Sequence, residues 1–346
     1  MGMAFLYGNG GGGSASGVGG MLTVTAPAGV TVTLAKDDKT KTKIAGSDGI
    51  AVFKGLEAGN WVVTITDGTR TATKTVTVIT DYATAISFNT IPDFTYTGDF
   101  EIVNDSDEPI ATSQGNWKIR FLTSGTLTFT ALNGAENGID VFLVGGGGAG
   151  GNGGDTGTYR TGAGGGGGCT RTEKSVTVAV NTNYTVSIGA GGNKDSVTLG
   201  NNGKPGGNTS AFGFTAAGGH GAAGYNSTTG KIAGGNGGSG GGGVGGNGGS
   251  DGADGSGGSH GTGQKTTTRE FGEAGGNLYS GGGGGAVNGA GGAGGGGAGC
   301  PTASKSNGVD GVANTGGGGG AGSRLEYSST HSGAGGSGIV IIRNKR

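Results

Sequence analysis

The 346-residue sequence has few of the residues that build an ordinary hydrophobic core. Aromatic residues make up 6% of the chain and all hydrophobic residues 31%, while proline occurs five times and cysteine twice. The two cysteines, Cys169 and Cys300, cannot form a disulfide framework. Free thiols are the favoured state, and a single bridge between them stays open. Five prolines and an irregular glycine period exclude a collagen triple helix.

The sequence also lacks an excess of one charge and a long hydrophobic run. Its net charge is −1, which gives no basic field for nucleic acid or an anionic membrane. No apolar run reaches the ~20 residues of a transmembrane helix. The first residues, MGMAFLYGNGGGG, lack the basic start and the apolar length of a signal peptide. We therefore expect neither nucleic-acid binding nor membrane insertion.

Glycine takes the place of these residues, and 74 of the 94 glycines lie from residue 145 onward. This composition is compatible with a disordered linker. The alternative is a bundle of polyproline-II-type glycine helices, whose backbones can lie side by side and pair their N–H and C=O groups. Strand-like runs within 169–188 and the closing IVII favour order, because a linker has no reason to be interrupted by strands. The sequence therefore predicts a polyglycine-II-like bundle over 145–338.

The remaining hydrophobic residues predict β units with essentially no α-helix. Residues 1–20 are expected to be an attachment or linker peptide. Residues 21–89 contain the runs LTVTA, VTVTLAK, IAVFKGL, WVVTIT and TATKTVTVI, rich in Val and Thr with period-two alternation. Such runs predict a compact β-sandwich spacer with Trp61 in its core.

A second β-sandwich, the β base, is predicted for residues 90–144. It would include strands from 169–188, with the runs VTVAV and YTVSI, and from 339–343. The alternation in WKIRF places Trp117, Ile119 and Phe121 on one face. The glycine tracts would then leave this base and return to it.

Two stretches resemble known families. SDGIAVFKGLEAGNWVVTITDG resembles the small prealbumin-like or Ig-like modules repeated in surface and phage tail proteins. The order WKIRFLTSGTLTF, VFLVGGGGAGG, TVAVNTNYTVSIGAGG and GGSGIVIIR resembles a glycine-rich domain of phage tail proteins, and the tail-fibre-tip adhesins of some bacteriophages. This second resemblance covers roughly residues 115–343. It implies packed polyglycine-II helices that present variable receptor-binding loops.

Recognition residues are expected where larger side chains interrupt the glycine tracts. Tyrosine and arginine provide broad contact area with a polar group. The chain order places the segments 155–161 and 323–332 at the end of the bundle far from the β base. The alternative is that such side chains only cover glycine backbone at the bundle ends. The residues predicted to contact a receptor are Tyr159, Arg160, Tyr225, Arg324, Tyr327 and His331.

No motif predicts catalysis, a cofactor or a metal. The GxGxxG matches do not open a helix in a βαβ unit. His220, His260 and His331 fit no nucleophile–base template. Asp251 and Asp254 in GGSDGADG faintly resemble calcium-binding glycine/aspartate repeats, but no nonapeptide period is kept. Whether a cation binds there stays open.

Together these observations predict a bacteriophage tail adhesin that recognises a host bacterial surface receptor, either a protein or a glycan. Its location would be the virion tail, its N-terminal region would contact other tail proteins, and homo-oligomerisation stays open. One alternative is a purely structural tail or fibre component. Another is an ice-type surface binder, which regular one-face rows of Thr or Ala would favour, whereas the non-glycine positions of the glycine tracts are irregular. An enzyme is not expected.

Overall fold

The computed structural model describes residues 19–26, 29–66, 71–87, 91–110, 116–133, 135–153, 161–194, 202–224, 232–301, 306–323 and 331–345. The chain divides into two compact units, residues 1–89 and 90–346. Across the described ranges the regular structure is all β, with one 3-10 turn at Glu270–Gly272 and no α-helix. This confirms the predicted all-β fold class. The same ranges include no helix with the length and apolar character needed to span a bilayer.

The first unit consists of two sheets around one core. One sheet has the order β4-β1-β7 and the other β3-β2-β5-β6. Trp61 is 1% exposed and its indole Nε1 donates a hydrogen bond to the Glu57 carbonyl at 2.9 Å, so the predicted core position is confirmed. The strands are β1 (Gly20–Thr25), β2 (Thr31–Lys36), β3 (Lys39–Ile44), β4 (Ile50–Leu56), β5 (Gly59–Thr66), β6 (Thr71–Val78) and β7 (Ala83–Ser87).

Two strands of this unit do not appear in the sequence-based prediction. β3 reads KTKTKI, and its alternating lysines are typical of a charged edge strand rather than of a core strand. β7 reads ATAIS and pairs in parallel with β1. Short, weakly hydrophobic strands of this kind are recognisable only once their partner is known. The other five strands match the predicted runs within two residues.

The outward face of the four-stranded sheet carries aligned threonines. Pairing places Thr42, Thr33, Thr64 and Thr73 in one row across all four strands. Thr33 and Thr42 approach through their hydroxyls at 3.4 Å, and Thr64 and Thr73 at 3.3 Å. Such cross-strand pairs stabilise a sheet modestly. They also give this face a regular, uncharged chemistry.

The second unit begins with the β base. A five-stranded sheet has the order β13-β12-β17-β10-β9, and a three-stranded sheet has the order β14-β11-β8. Trp117, Ile119 and Phe121 are each 0% exposed, which confirms their predicted face. The strands are β8 (Asp93–Tyr96), β9 (Phe100–Val103), β10 (Lys118–Phe121), β11 (Gly125–Ala131), β12 (Ile139–Val144), β13 (Thr170–Val176), β14 (Asn183–Val186), β15 (Thr209–Ala211), β16 (Phe214–Ala216) and β17 (Ile339–Asn344).

The first strand predicted within 169–188 is present, but it precedes most of the hydrophobic run VTVAV. β13 is the preceding polar segment TRTEKSV, and of VTVAV it includes only Val176. Every residue of β12 is buried, so β12 is a central strand with a neighbour on each side. The polar segment TRTEKSV fits the edge position beside β12. Pairing with β12, rather than hydrophobicity, therefore determines which residues form the strand. β8, β9, β15 and β16, which are three or four residues long, were also not identified from the sequence.

The glycine region is an ordered bundle in which tract 145–151 shows a period of three. Successive backbone N–H groups donate to three different neighbouring tracts at 2.8–3.0 Å. A three-residue repeat is that of a polyproline-II-type helix. All three neighbours run antiparallel to the tract, since their residue numbers fall as its numbers rise. The pairs, donor first, are Gly145 to Cys169, Gly148 to Gly166 and Gly151 to Ala163; Gly146 to Gly207 and Ala149 to Lys204; and Gly147 to Gly336 and Gly150 to Gly333.

The carbonyls of the same tract accept bonds from three further directions. Gly319 donates to Gly148, Ala222 to Ala149 and Gly192 to Gly147, at 2.8–3.0 Å. The tract therefore has six neighbours and is buried along its length. Tracts 162–168, 281–286 and 316–322 are likewise hydrogen-bonded to six surrounding segments. This is hexagonal packing of glycine helices, held by backbone groups rather than by apolar side chains.

Polar side chains complete the hydrogen bonding where an outer tract lacks a neighbour. Asn247 Oδ1 accepts the Ala290 N–H at 2.9 Å, and Ser250 Oγ accepts the Ala293 N–H at 2.7 Å. Asp310 Oδ1 does the same for Ala334 at 2.8 Å. An unpaired buried N–H is costly. Some of the Asn, Asp and Ser residues in the tracts are therefore present because their side chains accept hydrogen bonds from backbone N–H groups at the edge of the bundle.

Candidate functional site

The glycine tracts bring several interrupting segments to one end of the bundle. At the base end, residues next to the strands pair with each other, as Gly145 does with Cys169. The opposite end, about 20 Å away at ~3.1 Å per residue, is here called the distal end. There Thr161 and Ser306 each form a β-bridge with Ser323. These residues flank the segments 154–160, 302–305 and 324–330.

Two further segments attach at the same level. Gly203 donates to the Ala222 carbonyl at 2.9 Å, and Gly224 donates to Asn202 Oδ1 at 2.8 Å. The residues flanking 195–201 and 225–231 thus lie beside the distal end of tract 145–151, where Ala222 bonds Ala149. Five interruptions of the glycine tracts therefore begin and end at one end of the bundle, opposite the β base.

The predicted recognition residues lie mainly in those five segments. Tyr159, Arg160, Tyr225, Arg324 and Tyr327 are outside the described residues. His331 is described and partly buried at the distal end. Its backbone N–H donates to Asn307 Oδ1 at 3.0 Å, and its ring Nδ1 lies 3.2 Å from the Ser332 carbonyl. His331 therefore has a backbone role in holding two outer tracts together as well as a ring near the distal surface.

Two exposed valines lie at the distal end and were not among the predicted recognition residues. Val244 and Val287 are each 38% exposed and occupy turns between glycine tracts. Gly245 donates to Ala286 at 2.8 Å, and Ala286 donates to Gly162 at 3.1 Å, so both turns adjoin the tract that leads from Thr161. Val287 has φ 67, which a β-branched residue rarely adopts. The available signal is an isolated valine among glycines, as in GGGVGG and GAVNGA.

Asp251 and Asp254, the candidate cation ligands, form hydrogen bonds and an ion pair with neighbouring residues instead. Asp251 accepts bonds from the Thr267 hydroxyl at 2.5 Å and the Thr268 N–H at 3.1 Å, and the Thr267 bond helps hold the pKa of Asp251 below its usual range. Asp254 pairs with Lys265, which lowers its pKa. Both carboxylates therefore brace the 262–269 segment. No group of three or more His, Cys, Asp or Glu side chains that could hold a metal occurs within the described ranges.

Both cysteines are free. Cys300 is buried beside Ala286 and Ala321, and Cys169 is partly buried at the base end, where burial raises the pKa of its thiol. The favoured free-thiol state is thus the one the structure has.

A buried ion network lies on the β base. Arg343 is 2% exposed, and its Nε and Nη2 donate to Asp140 Oδ2 at 3.3 and 3.2 Å, while Nη1 donates to Glu273 Oε2 at 2.9 Å. Its guanidinium also lies 4.0 Å from the centre of the Phe271 ring. Beside it, Lys118 pairs with Glu270 at 3.0 Å. A cavity of about 310 Å³ is lined by Arg343, Glu273, Lys118 and Glu270 among others. Because these charged groups pair with one another, the network fastens the 270–277 segment to the base.

The architecture defines a glycine-rich β protein in which a hexagonal polyglycine bundle projects interrupting segments from a β base. A model of the glycine-rich domain family matches residues 122–345, well over half of the chain. The chain belongs to the glycine-rich domain family.

Comparison with solved structures gives a match to a DUF3823 family protein from Bacteroides ovatus. The identity is 11%, the match covers 59% of this chain and 96% of that chain, and the TM-score is 0.18. So low a TM-score supports no conclusion about fold or function. No curated protein matches the chain.

Proposed function

We propose that this protein is a receptor-binding adhesin of a bacteriophage tail, and that the distal end of its polyglycine bundle contacts a host surface receptor. The observation that carries the proposal is the convergence of five interrupting segments at the end opposite the β base. A site for recognition needs variable side chains on a rigid support. The bundle provides that support, because its backbone hydrogen bonds fix each tract on up to six sides.

The remaining parts of the proposal come from the sequence. The β base and the first unit would connect the distal end to the virion, with residues 1–20 contacting other tail proteins. A receptor of either protein or glycan type fits tyrosine and arginine side chains. The protein would act without a cofactor and without catalysis. A homo-oligomer is compatible with this role.

The test replaces two predicted contact residues. We expect Tyr159→Ala with Tyr327→Ala to weaken binding of the full-length protein to intact host cells about thirtyfold, since truncating an interface hot spot costs ~2 kcal/mol or more. The thermal unfolding temperature should change by less than ~2 °C, because both residues are predicted to lie in segments that interrupt the glycine tracts, where side chains rarely hold a fold together. Binding to a panel of bacterial strains identifies the host first.

The matched control is Tyr82→Ala, which removes a tyrosine that is 62% exposed in the first unit. Cell binding should not change in this variant. Wild-type protein that binds no strain of a broad panel would favour the structural alternative, a tail or fibre component without a receptor. Equal losses for Tyr82→Ala and the double variant would place recognition outside the distal end.

The ice-type alternative has one specific observation in its favour, and it lies in the first unit. The threonine row Thr42-Thr33-Thr64-Thr73 is regular, with neighbouring strands ~4.8 Å apart. Sheet twist of roughly 20–25° per strand works against a flat lattice match, so we place this function second. If the wild-type protein inhibits ice recrystallisation and Thr33→Lys abolishes this inhibition, ice binding becomes the favoured function. No inhibition by the wild-type protein would remove it.

A further inference from the structure

A row of lysines runs along the open side of the first unit. In the edge strand β3, alternation places Thr40 and Thr42 on the outward face of the sheet and Lys39, Lys41 and Lys43 on the other. Alternate residues of a strand are ~6.8 Å apart. The lysines therefore project at regular intervals towards β4, the edge strand of the facing sheet.

Two of these ammonium groups are held by neutral acceptors. Lys43 Nζ donates to the Val52 carbonyl at 2.6 Å, and Lys41 Nζ donates to the Lys54 carbonyl at 3.3 Å. Lys39, in contrast, pairs with the Glu57 carboxylate. A carbonyl orients an ammonium group but does not neutralise it. These bonds orient the Lys41 and Lys43 ammonium groups, which lowers the entropy lost on binding an anion, although the Glu57 carboxylate also attracts Lys41.

The two lysines border a groove of about 680 Å³ between β3 and β4. Its lining residues include three lysines and no carboxylate. Phe53, only 2% exposed, forms the floor, and the Lys43 ammonium lies 5.7 Å from the centre of its ring. The groove is therefore lined by positive charge over an apolar base. The residues that line it are Lys41, Thr42, Lys43, Val52, Phe53 and Lys54.

We propose that this groove binds a linear phosphodiester-linked glycan polymer of a cell surface, with successive phosphates at Lys41 and Lys43. Charge complementarity and the ~6.8 Å lysine spacing fit a chain with one negative charge per repeat. Single-stranded nucleic acid fits less well, because the lining offers no exposed aromatic ring for base stacking. Lysines on an edge strand also discourage edge-to-edge association, a role that needs no ligand. This proposal is independent of the distal end.

The test measures binding of the full-length protein to poly(glycerol phosphate) by calorimetry at low salt. Lys41→Gln with Lys43→Gln should bind about tenfold more weakly, since each exposed charge pair contributes modestly. Lys41→Arg with Lys43→Arg should retain binding and shows that the strand tolerates substitution. The matched control, Lys174→Gln with Lys345→Gln, removes the same charge from exposed positions of the second unit and should leave binding unchanged.

Three results would overturn the proposal. The first is no binding of poly(glycerol phosphate) by the wild-type protein. The second is an equal loss in the control variant, which would indicate a nonspecific charge effect. The third is tighter binding of single-stranded DNA than of the polymer. If the glutamine variant binds normally but associates into dimers, the lysines serve only to protect the edge strand.

Discussion

Gly241→Ala is expected to destabilise the second unit by at least about 3 kcal/mol. A Cβ at this position would lie 1.9 Å from the Gly164 carbonyl oxygen and 2.6 Å from its carbon. The obstacle is backbone of tract 162–168, which is hydrogen-bonded on six sides and cannot move aside alone. Even the smallest side chain must therefore separate two helices of the bundle. At roughly 2–4 °C per kcal/mol for a unit of this size, unfolding should occur about 6 °C lower or more.

The chain offers a matched control in Gly258→Ala. A Cβ at Gly258 would have no atom within 4 Å, and its φ lies outside the left-handed region. The free energy of unfolding of the Gly258→Ala variant should stay within ~0.5 kcal/mol of the wild-type value or rise slightly, because alanine restricts the conformations of the unfolded chain. The two tryptophans, Trp61 and Trp117, lie one in each unit. In a Trp61→Phe background, fluorescence of Trp117 reports the second unit alone. Equal stabilities of the two glycine variants would contradict close packing.

Arg343→Ala is expected to cost about 3–5 kcal/mol, the usual result of removing one partner of a buried ion pair. The change leaves the Asp140 carboxylate, which is 0% exposed, with the Ser175 N–H at 3.1 Å but without its cation. It also removes the bonds to Glu273 and the contact with the Phe271 ring. The 270–277 segment should detach from the β base before the sheets unfold.

The comparison for this prediction is Arg171→Ala. Arg171 pairs with Glu173 at 2.7 Å, but both side chains are substantially exposed, so the loss should be below ~1 kcal/mol. Replacing both buried partners, as in Arg343→Met with Asp140→Leu, should recover part of the lost stability, because no uncompensated charge remains. Chemical denaturation of each variant measures these values. A cost for Arg343→Ala no greater than for Arg171→Ala would show that the network is not structural.

The strands predicted best were those whose own residues carry the signal. β12 and β17 are mainly hydrophobic runs, and Trp117, Ile119 and Phe121 alternate along β10 and the residue before it. β3 failed to stand out because it is an edge strand with charged residues, and its position depends on a partner elsewhere in the chain. β13 was expected within 169–188, but the polar residues that form it were not distinguished from the hydrophobic run that follows. The pairing of Arg343 with Asp140 spans 203 residues, and no local pattern indicates it.

The glycine region was predictable in kind but not in arrangement. Glycine density and the strands around it predict helices that pack through their backbones. Which tracts become neighbours depends on the whole bundle, since one tract meets segments from residue 163 to residue 336. Ala149, Ala163 and Ala321 show that a methyl group fits at selected positions. The sequence gives no rule for these positions.

The candidate site was predictable only as a location. A glycine tract that leaves the β base must end at the distal end, so the order of tracts along the chain predicts which residues lie there. The paired residues Thr161, Ser306 and Ser323 do lie at the distal end. Val244 and Val287 were not predicted as recognition residues, because that prediction relied mainly on tyrosine and arginine side chains. Five of the six predicted contact residues lie outside the described residues, so their role stays a prediction.

Hydrogen exchange of the backbone amides tests most directly whether the glycine region is a packed bundle. Tracts 145–151, 162–168, 281–286 and 316–322 should exchange only by cooperative opening, and slowly. Within 232–258, the amide of Gly241, which donates to Gly235 at 2.8 Å, should be protected, although no large apolar side chain shields it. Uniformly fast exchange across 232–258 would contradict the bundle and favour a disordered linker.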